Sequence, residues 1–140
     1  SERLPTMTRT WVYGRMDADA GLGTLVGTPT ARIYASTSLT TAPTVFPFIM
    51  YRQTSDVEVF RGDDSDKVRS NGYMIFCHDV PGDYLQIDAM IAELRRLFAD
   101  TNDPDEGIVR SRWVDTSDDL RDDDMGTITK YVRIQVLSRL

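Results

Sequence analysis

The sequence predicts an α+β fold: a mixed, mainly antiparallel sheet with two helices packed on one face, in the order α-β-β-β-α-β-β. Apolar residues recur at helical spacing in two separated stretches, 8–26 and 84–98, and two-residue alternation marks 31–36, 73–79 and 128–136. The connections between neighbouring strands are hairpin-like and rich in turn residues, which favours strands run together with helices on one side. At 140 residues the chain reads as a single domain over 1–140, long enough to bury roughly two-thirds of its unfolded surface.

The first helix is expected between Thr8 and Val26, where Trp11, Ala18, Leu22 and Leu25 follow one another at spacings of seven, four and three. Thr8 is the candidate cap, and Gly14, Gly21 and Gly23 weaken the helix enough that it could stop near Ala20. Gly27-Thr28-Pro29 then turns the chain. Ala31, Ile33 and Ala35 alternate with Arg32 and Tyr34 in a short first strand. Beyond the polar stretch 36–44, Val45-Phe46-Pro47-Phe48-Ile49-Met50-Tyr51 is a nearly continuous apolar run whose later part reads as a buried strand. Pro47 cannot donate to a ladder and belongs at the start of that strand or on an edge.

Gly62-Asp63-Asp64-Ser65-Asp66 and Asn71-Gly72 carry turn chemistry, so Arg61 to Gly72 reads as a long charged hairpin loop. Tyr73, Ile75 and Cys77 then alternate with Met74, Phe76 and His78, and apolar groups on both faces predict a central strand. Pro81-Gly82-Asp83 ends it, and Asp83 with Gln86 forms an acidic variant of the capping box. Tyr84, Ile87, Ile91, Leu94 and Phe98, widened by Met90 and Leu97, make one apolar stripe, with Glu93, Arg95 and Arg96 off it. Asn102-Asp103-Pro104-Asp105 closes that helix. A strand over Ile108–Val114 leads into an acidic loop from Asp115 to Asp124. In the last strand Ile128, Val132, Ile134 and Val136 alternate with Thr129, Tyr131, Arg133 and Gln135.

Composition narrows the function. Hydrophobic residues at 41% and charged residues at 27% describe an ordinary globular chain, expected to be soluble and cytoplasmic when made, with no apolar run long enough for a membrane span. Cys77 is the only cysteine, which precludes an intrachain disulfide or a four-thiolate zinc site. Sixteen basic against 22 acidic residues give a net charge of -6, opposite to the footprint of a phosphate-gripping protein.

The search for chemistry yields no catalytic constellation. His78 is the only histidine, and Cys77 beside it points to the opposite side of a strand, which argues against a dyad. Gly21, Gly23 and Gly27 follow a GxGxxxG spacing with no strand before it, which fits a helix end better than a dinucleotide-binding turn. Neither Asp63-Asp64-Ser65-Asp66 nor Asp122-Asp123-Asp124 fits a calcium-loop pattern, and both read as solvated loops. Arg112 and Trp113 with Tyr131 and Arg133 could form a basic-aromatic patch for single-stranded nucleic acid, against which ordinary packing and surface ion pairs are weighed. No cofactor and no metal site is expected.

The order Leu25-Val26-Gly27-Thr28, then Arg32-Ile33-Tyr34, then Phe46-Pro47-Phe48-Ile49-Met50-Tyr51-Arg52 resembles the tail completion and tail terminator proteins of siphophages, and the resemblance extends over Thr10 to Leu140. It implies a mixed sheet with two helices on one side and a non-enzymatic subunit of the virion, made in the host cytoplasm and placed at the head-tail junction. The implied assembly is a homo-oligomer, a hexameric ring that caps the tail tube, stops its polymerisation and meets a head-side connector or stopper protein. DNA would pass through the lumen without specific binding, and no membrane is involved. Alternatives are a head-side stopper or connector and, from a different class, a small carboxylate-dependent enzyme or ligand-binding domain. Connecting loops commonly carry recognition. The expected interaction residues are Arg61, Asp63, Asp64, Asp66, Lys67 and Arg69 in one loop, and Asp118, Asp119, Arg121, Asp122, Asp123 and Asp124 in the other.

Overall fold

A computed structural model of the chain describes residues 7–27, 32–35, 43–60 and 67–139. Three helices and seven strands follow in the order α1 (Thr8–Ala18), α2 (Ala20–Val26), β1 (Ile33–Ala35), β2 (Phe48–Phe60), β3 (Lys67–Asp79), α3 (Leu85–Phe98), β4 (Thr101–Asp103), β5 (Ile108–Thr116), β6 (Leu120–Asp122) and β7 (Thr127–Arg139). The strands form one sheet in the order β1-β2-β3-β7-β5-β4, with β6 also on β7. Only β1 and β2 run parallel; every other pair is antiparallel. The class and the coarse element order are as expected from sequence.

The expected first helix is two, broken at Asp19. This carboxylate accepts the Leu22 N–H at 2.8 Å, capping α2, and pairs with Arg96 of α3. Burial pushes the Asp19 carboxyl up, but Arg96 and the Leu22 N–H outweigh it and hold it below the ordinary carboxylate range. Thr8 is not the cap. Met7 occupies that position, while the Thr8 hydroxyl donates to Asn71 Oδ1 at 2.7 Å and lies 2.5 Å from the Tyr73 hydroxyl. A buried hydroxyl so placed anchors the start of α1 to β3. Asp83 accepts from Leu85 N–H at 3.1 Å just ahead of α3, but the capping position is Tyr84, without a side-chain cap, so the expected box of Asp83 with Gln86 does not form.

The core lies between the helices and one face of the sheet. Ile87, Met90, Leu94, Leu97 and Phe98 of α3 and Trp11, Val12, Met16, Leu22 and Val26 of α1 and α2 are buried. They join Ile49 and Tyr51 of β2, Tyr73, Ile75 and Cys77 of β3, and Val132, Ile134 and Val136 of β7. Trp11 meets Phe98 edge-on at 5.9 Å. The apolar stripe of α3 covers the two central strands, as its spacing requires.

The largest departure from the sequence reading is the hairpin. Lys67 to Gly72 is strand, not loop, and β2 continues to Phe60, so each arm has 13 residues. Register shifts between Gln53 and Ser55, where Ser55 Oγ accepts the Gly72 N–H at 3.0 Å. A Cβ at Gly72 would stand 2.7 Å from both Ser55 Oγ and Thr54 Oγ1, so the bulge needs glycine for close approach. The acidic loop is likewise shorter than expected. β5 runs through Thr116, and Leu120–Asp122 pairs with Thr127–Thr129. Thr28, Pro29, Ala31 and Ser36, expected in the turn and first strand, lie outside the described residues, as does Arg61 to Asp66.

Gly72→Ala should lower the urea midpoint by the equivalent of about 1–3 kcal/mol, the usual cost of overpacking. An unchanged midpoint would show that the bulge does not need the bare backbone.

Candidate interaction surfaces

The residues with reactive side chains are used for packing. Cys77 is completely buried among the core residues, and burial pushes its thiol up to about 12. His78 points to the other face, where its ring stacks on Phe48 at 4.8 Å and its Nδ1 lies 2.8 Å from Thr127 Oγ1. Burial lowers the His78 pKa and Asp122 opposes this, the net being a ring held neutral. Among the described residues no three His, Cys, Asp or Glu side chains converge as a metal site, and no helix is long and apolar enough to cross a membrane. Gly27 with φ 99° ends α2, the helix-end role its sequence context favoured.

The second face of the sheet carries an aromatic path across four strands. Tyr34 meets Phe48 at 6.2 Å, His78 lies 6.3 Å from Phe76, and Phe76 packs on Tyr131 at 5.5 Å. Arg52 stands over Phe76 at 5.9 Å. The basic-aromatic patch weighed in the sequence against ordinary packing and surface ion pairs does not form as one unit. Trp113 turns to the helix side beneath Arg95, at 5.7 Å, while Tyr131 and Arg133 lie on the second face. Arg133 is bound through Nε to Asp115 at 2.7 Å, which holds that carboxyl below its ordinary range and raises the guanidinium.

Of the first expected interaction group, Arg61, Asp63, Asp64 and Asp66 lie outside the described residues, and Lys67 opens β3 opposite Phe60. Arg69 is a strand residue held by Asp56 at 3.3 Å and Glu58 at 3.5 Å. Val57 and Val59, which alternate with these acids along β2, are 56% and 42% exposed. Sequence reading passed over them. Their signal was the Asp56-Val57-Glu58-Val59 alternation, masked by the charge and turn residues that follow.

The second group sits at the opposite end of the sheet, where β6 and the turn into β7 meet the start of α3. Lys130 joins the two, bonding Asp88 at 3.0 Å and Asp119 at 3.4 Å, and these acids raise its pKa. Tyr84 donates to the Leu120 carbonyl at 2.8 Å. Asp122 Oδ1 accepts the Met125 N–H at 3.0 Å and Arg121 pairs with Asp123 at 3.3 Å, so part of this segment is spent on its own turn. Asp118 and Asp124 are exposed. Leu85 at 73% and Val80 at 50% exposure add apolar surface at this end.

Two grooves flank α1. One, of about 580 Å³, runs between the helix start and β2, β3 and β7 and is lined by Thr8, Arg9, Gln53, Asn71 and Arg139. The other, of about 510 Å³, lies between α1 and the end of α3, with Trp11, Arg15 and Arg96 on its walls. Both linings mix charged and apolar groups.

No family model and no curated protein matches the sequence. Among solved structures, the fold is similar to that of a chain in the virion of a native gene transfer agent particle, with a TM-score of 0.69 over 92% of each chain at 14% identity. The similarity is one of fold.

Two outcomes follow from the buried pair. A neutral buried histidine supports stability fully above the ordinary value of 6.5 and loses it as pH falls below that and the ring is forced to charge. His78→Phe, which keeps a ring against Phe48, should therefore flatten the decline in unfolding midpoint between about pH 7 and pH 5. The same decline in both proteins would assign it elsewhere. Cys77 should resist an aromatic disulfide reagent in the native chain and react at once in denaturant; fast native labelling would contradict its burial.

Proposed function

We propose that this chain is a structural, non-enzymatic subunit of a phage-like virion, a tail terminator that forms a ring on the last turn of the tail tube. The carrying observation is the fold correspondence, over 92% of both chains, with a chain of a gene transfer agent virion. The resemblance of Leu25 to Arg52 to siphophage tail completion proteins points the same way and narrows the position to the head-tail junction. In this reading the ring stops tube growth on one side and receives a head-side connector or stopper on the other, and DNA crosses its lumen without specific contacts.

The two ends of the sheet suit a subunit with two docking sides. One bears the long β2–β3 hairpin with Arg69, and the other bears Asp118 to Asp124 beside exposed Leu85 and Val80. A net charge of -6 fits a ring through which DNA slides rather than one that grips it. The cytoplasm of the host is where such a subunit would be made and assembled.

Electron microscopy of particles produced with this gene interrupted tests the reading. A terminator predicts overlong tubes beside unattached, filled heads. Free tails of normal length beside empty or leaking heads would move the assignment to the head-side connector, and normal particles would remove both.

A further inference from the structure

Among the described residues the sheet has two open edges. On its outer side β2 pairs with β1 only at Ile49–Tyr51, so Thr54–Val59 has no backbone partner there among the described residues. At the other margin β4 reaches β5 only at Ile108 and Ser111, so Arg112–Thr116 is open on its outer side among the described residues. An exposed strand edge is a template for another strand, and neither open stretch contains a proline or lysine to block one.

The edges match. β2, β3, β7 and β5 alternate in direction, so β5 runs opposite to β2, and two copies set side by side in the same orientation bring the edges together antiparallel. Val57 and Val59 lie opposite Ser70 and Val68, on the face away from the helices. Val114 is 52% exposed and sits at the register shift between the helix-side Trp113 and Asp115, which faces the other way opposite Arg133. Setting Val57 across from Val114 also sets Glu58 across from Trp113 and Val59 across from Arg112, so up to the shift at Val114 helix-side residues meet helix-side residues, while beyond it Asp56 and Asp115 point to opposite faces. Charge agrees at Glu58, while Asp56 and Asp115 are each held by an arginine of their own subunit, Arg69 and Arg133. Asp56 and Glu58 share one arginine, leaving an excess negative charge, and Arg95 stands over Trp113 on the facing edge.

We infer that these edges are the two halves of one interface between copies of this chain, β2 over Thr54–Val59 of one subunit adding to β5 over Arg112–Thr116 of the next. This rests on the ring reading above and specifies its joint. Because the halves differ, the contact is head-to-tail, the kind that closes into a ring when the rotation permits. The open stretches are offset along the strand direction, β2 at the level of the β7 end and β5 nearer its middle, so closure tilts each sheet as in a barrel.

The test uses Val57→Cys and Val114→Cys in the full chain, whose only other thiol, Cys77, is buried. Under mild oxidation a mixture of the two single variants should give a covalent dimer that neither gives alone, and the double variant should give a ladder ending at the ring size seen by native mass spectrometry. In the unmodified chain, amide exchange over 54–59 and 112–116 should slow on assembly. Rings that form without the 57–114 link and without this protection would overturn the edge pairing and leave the ring reading standing. A link between two Val57→Cys chains would replace it with a two-fold dimer. A chain that stays monomeric both alone and with tail tubes would remove both readings.

Discussion

Everything else in this molecule hangs on the contact between α3 and the two central strands. Ile87, Met90, Leu94 and Phe98 are completely buried, and so are Ile75 and Cys77 of β3 and Val132 and Val136 of β7 beneath the helices. Apolar burial on this scale is the dominant favourable contribution to folding, and it fixes the register of β3 and β7, since a one-residue slip would turn every apolar group to the wrong face. With those two strands set, β2 and β5 can add only on their outer sides. The open margins of the sheet are thus a consequence of where the core lies.

Polar anchors refine that arrangement. Thr8, Asn71 and Tyr73 form a buried cluster that places α1, and Asp19 with Arg96 places the break between α1 and α2 over the end of α3. Each satisfies groups that would be costly to bury alone, and each joins residues more than 60 positions apart in sequence. Surface pairs such as Arg69 with Asp56 and Glu58 contribute little to stability and matter more for the charge an edge presents.

Much of the fold was legible. The stripe from Tyr84 to Phe98, the alternation of Tyr73 to His78 on two apolar faces, and the last strand all have periods that only one structure satisfies. The hairpin was not, because Asn71-Gly72 is ordinarily a turn signal. Here Asn71 is buried against Thr8 and Gly72 accommodates a bulge, two long-range demands that local chemistry cannot reveal. The same limit applies to Thr8, a good cap by type that is drawn away by β3. For the interaction surfaces, sequence reading favoured charge. It marked Asp118 to Asp124 and passed over Val57, Val59 and Val114, whose importance depends on which strands lie at the margins, a property of topology rather than of residue type.

The position of β7 has a bearing on synthesis. β7, the last of the described strands, lies between β3 and β5, so neither has its inner neighbour until residues 127–139 have left the ribosome. Until then the nascent chain holds a hairpin and helices that lack part of the face they cover, and closure joins partners as much as about 70 residues apart, such as Val68 and Arg139. A product broken off before β7 leaves β5 without the strand that supports it. Interrupted translation therefore yields molecules unable to present a complete sheet.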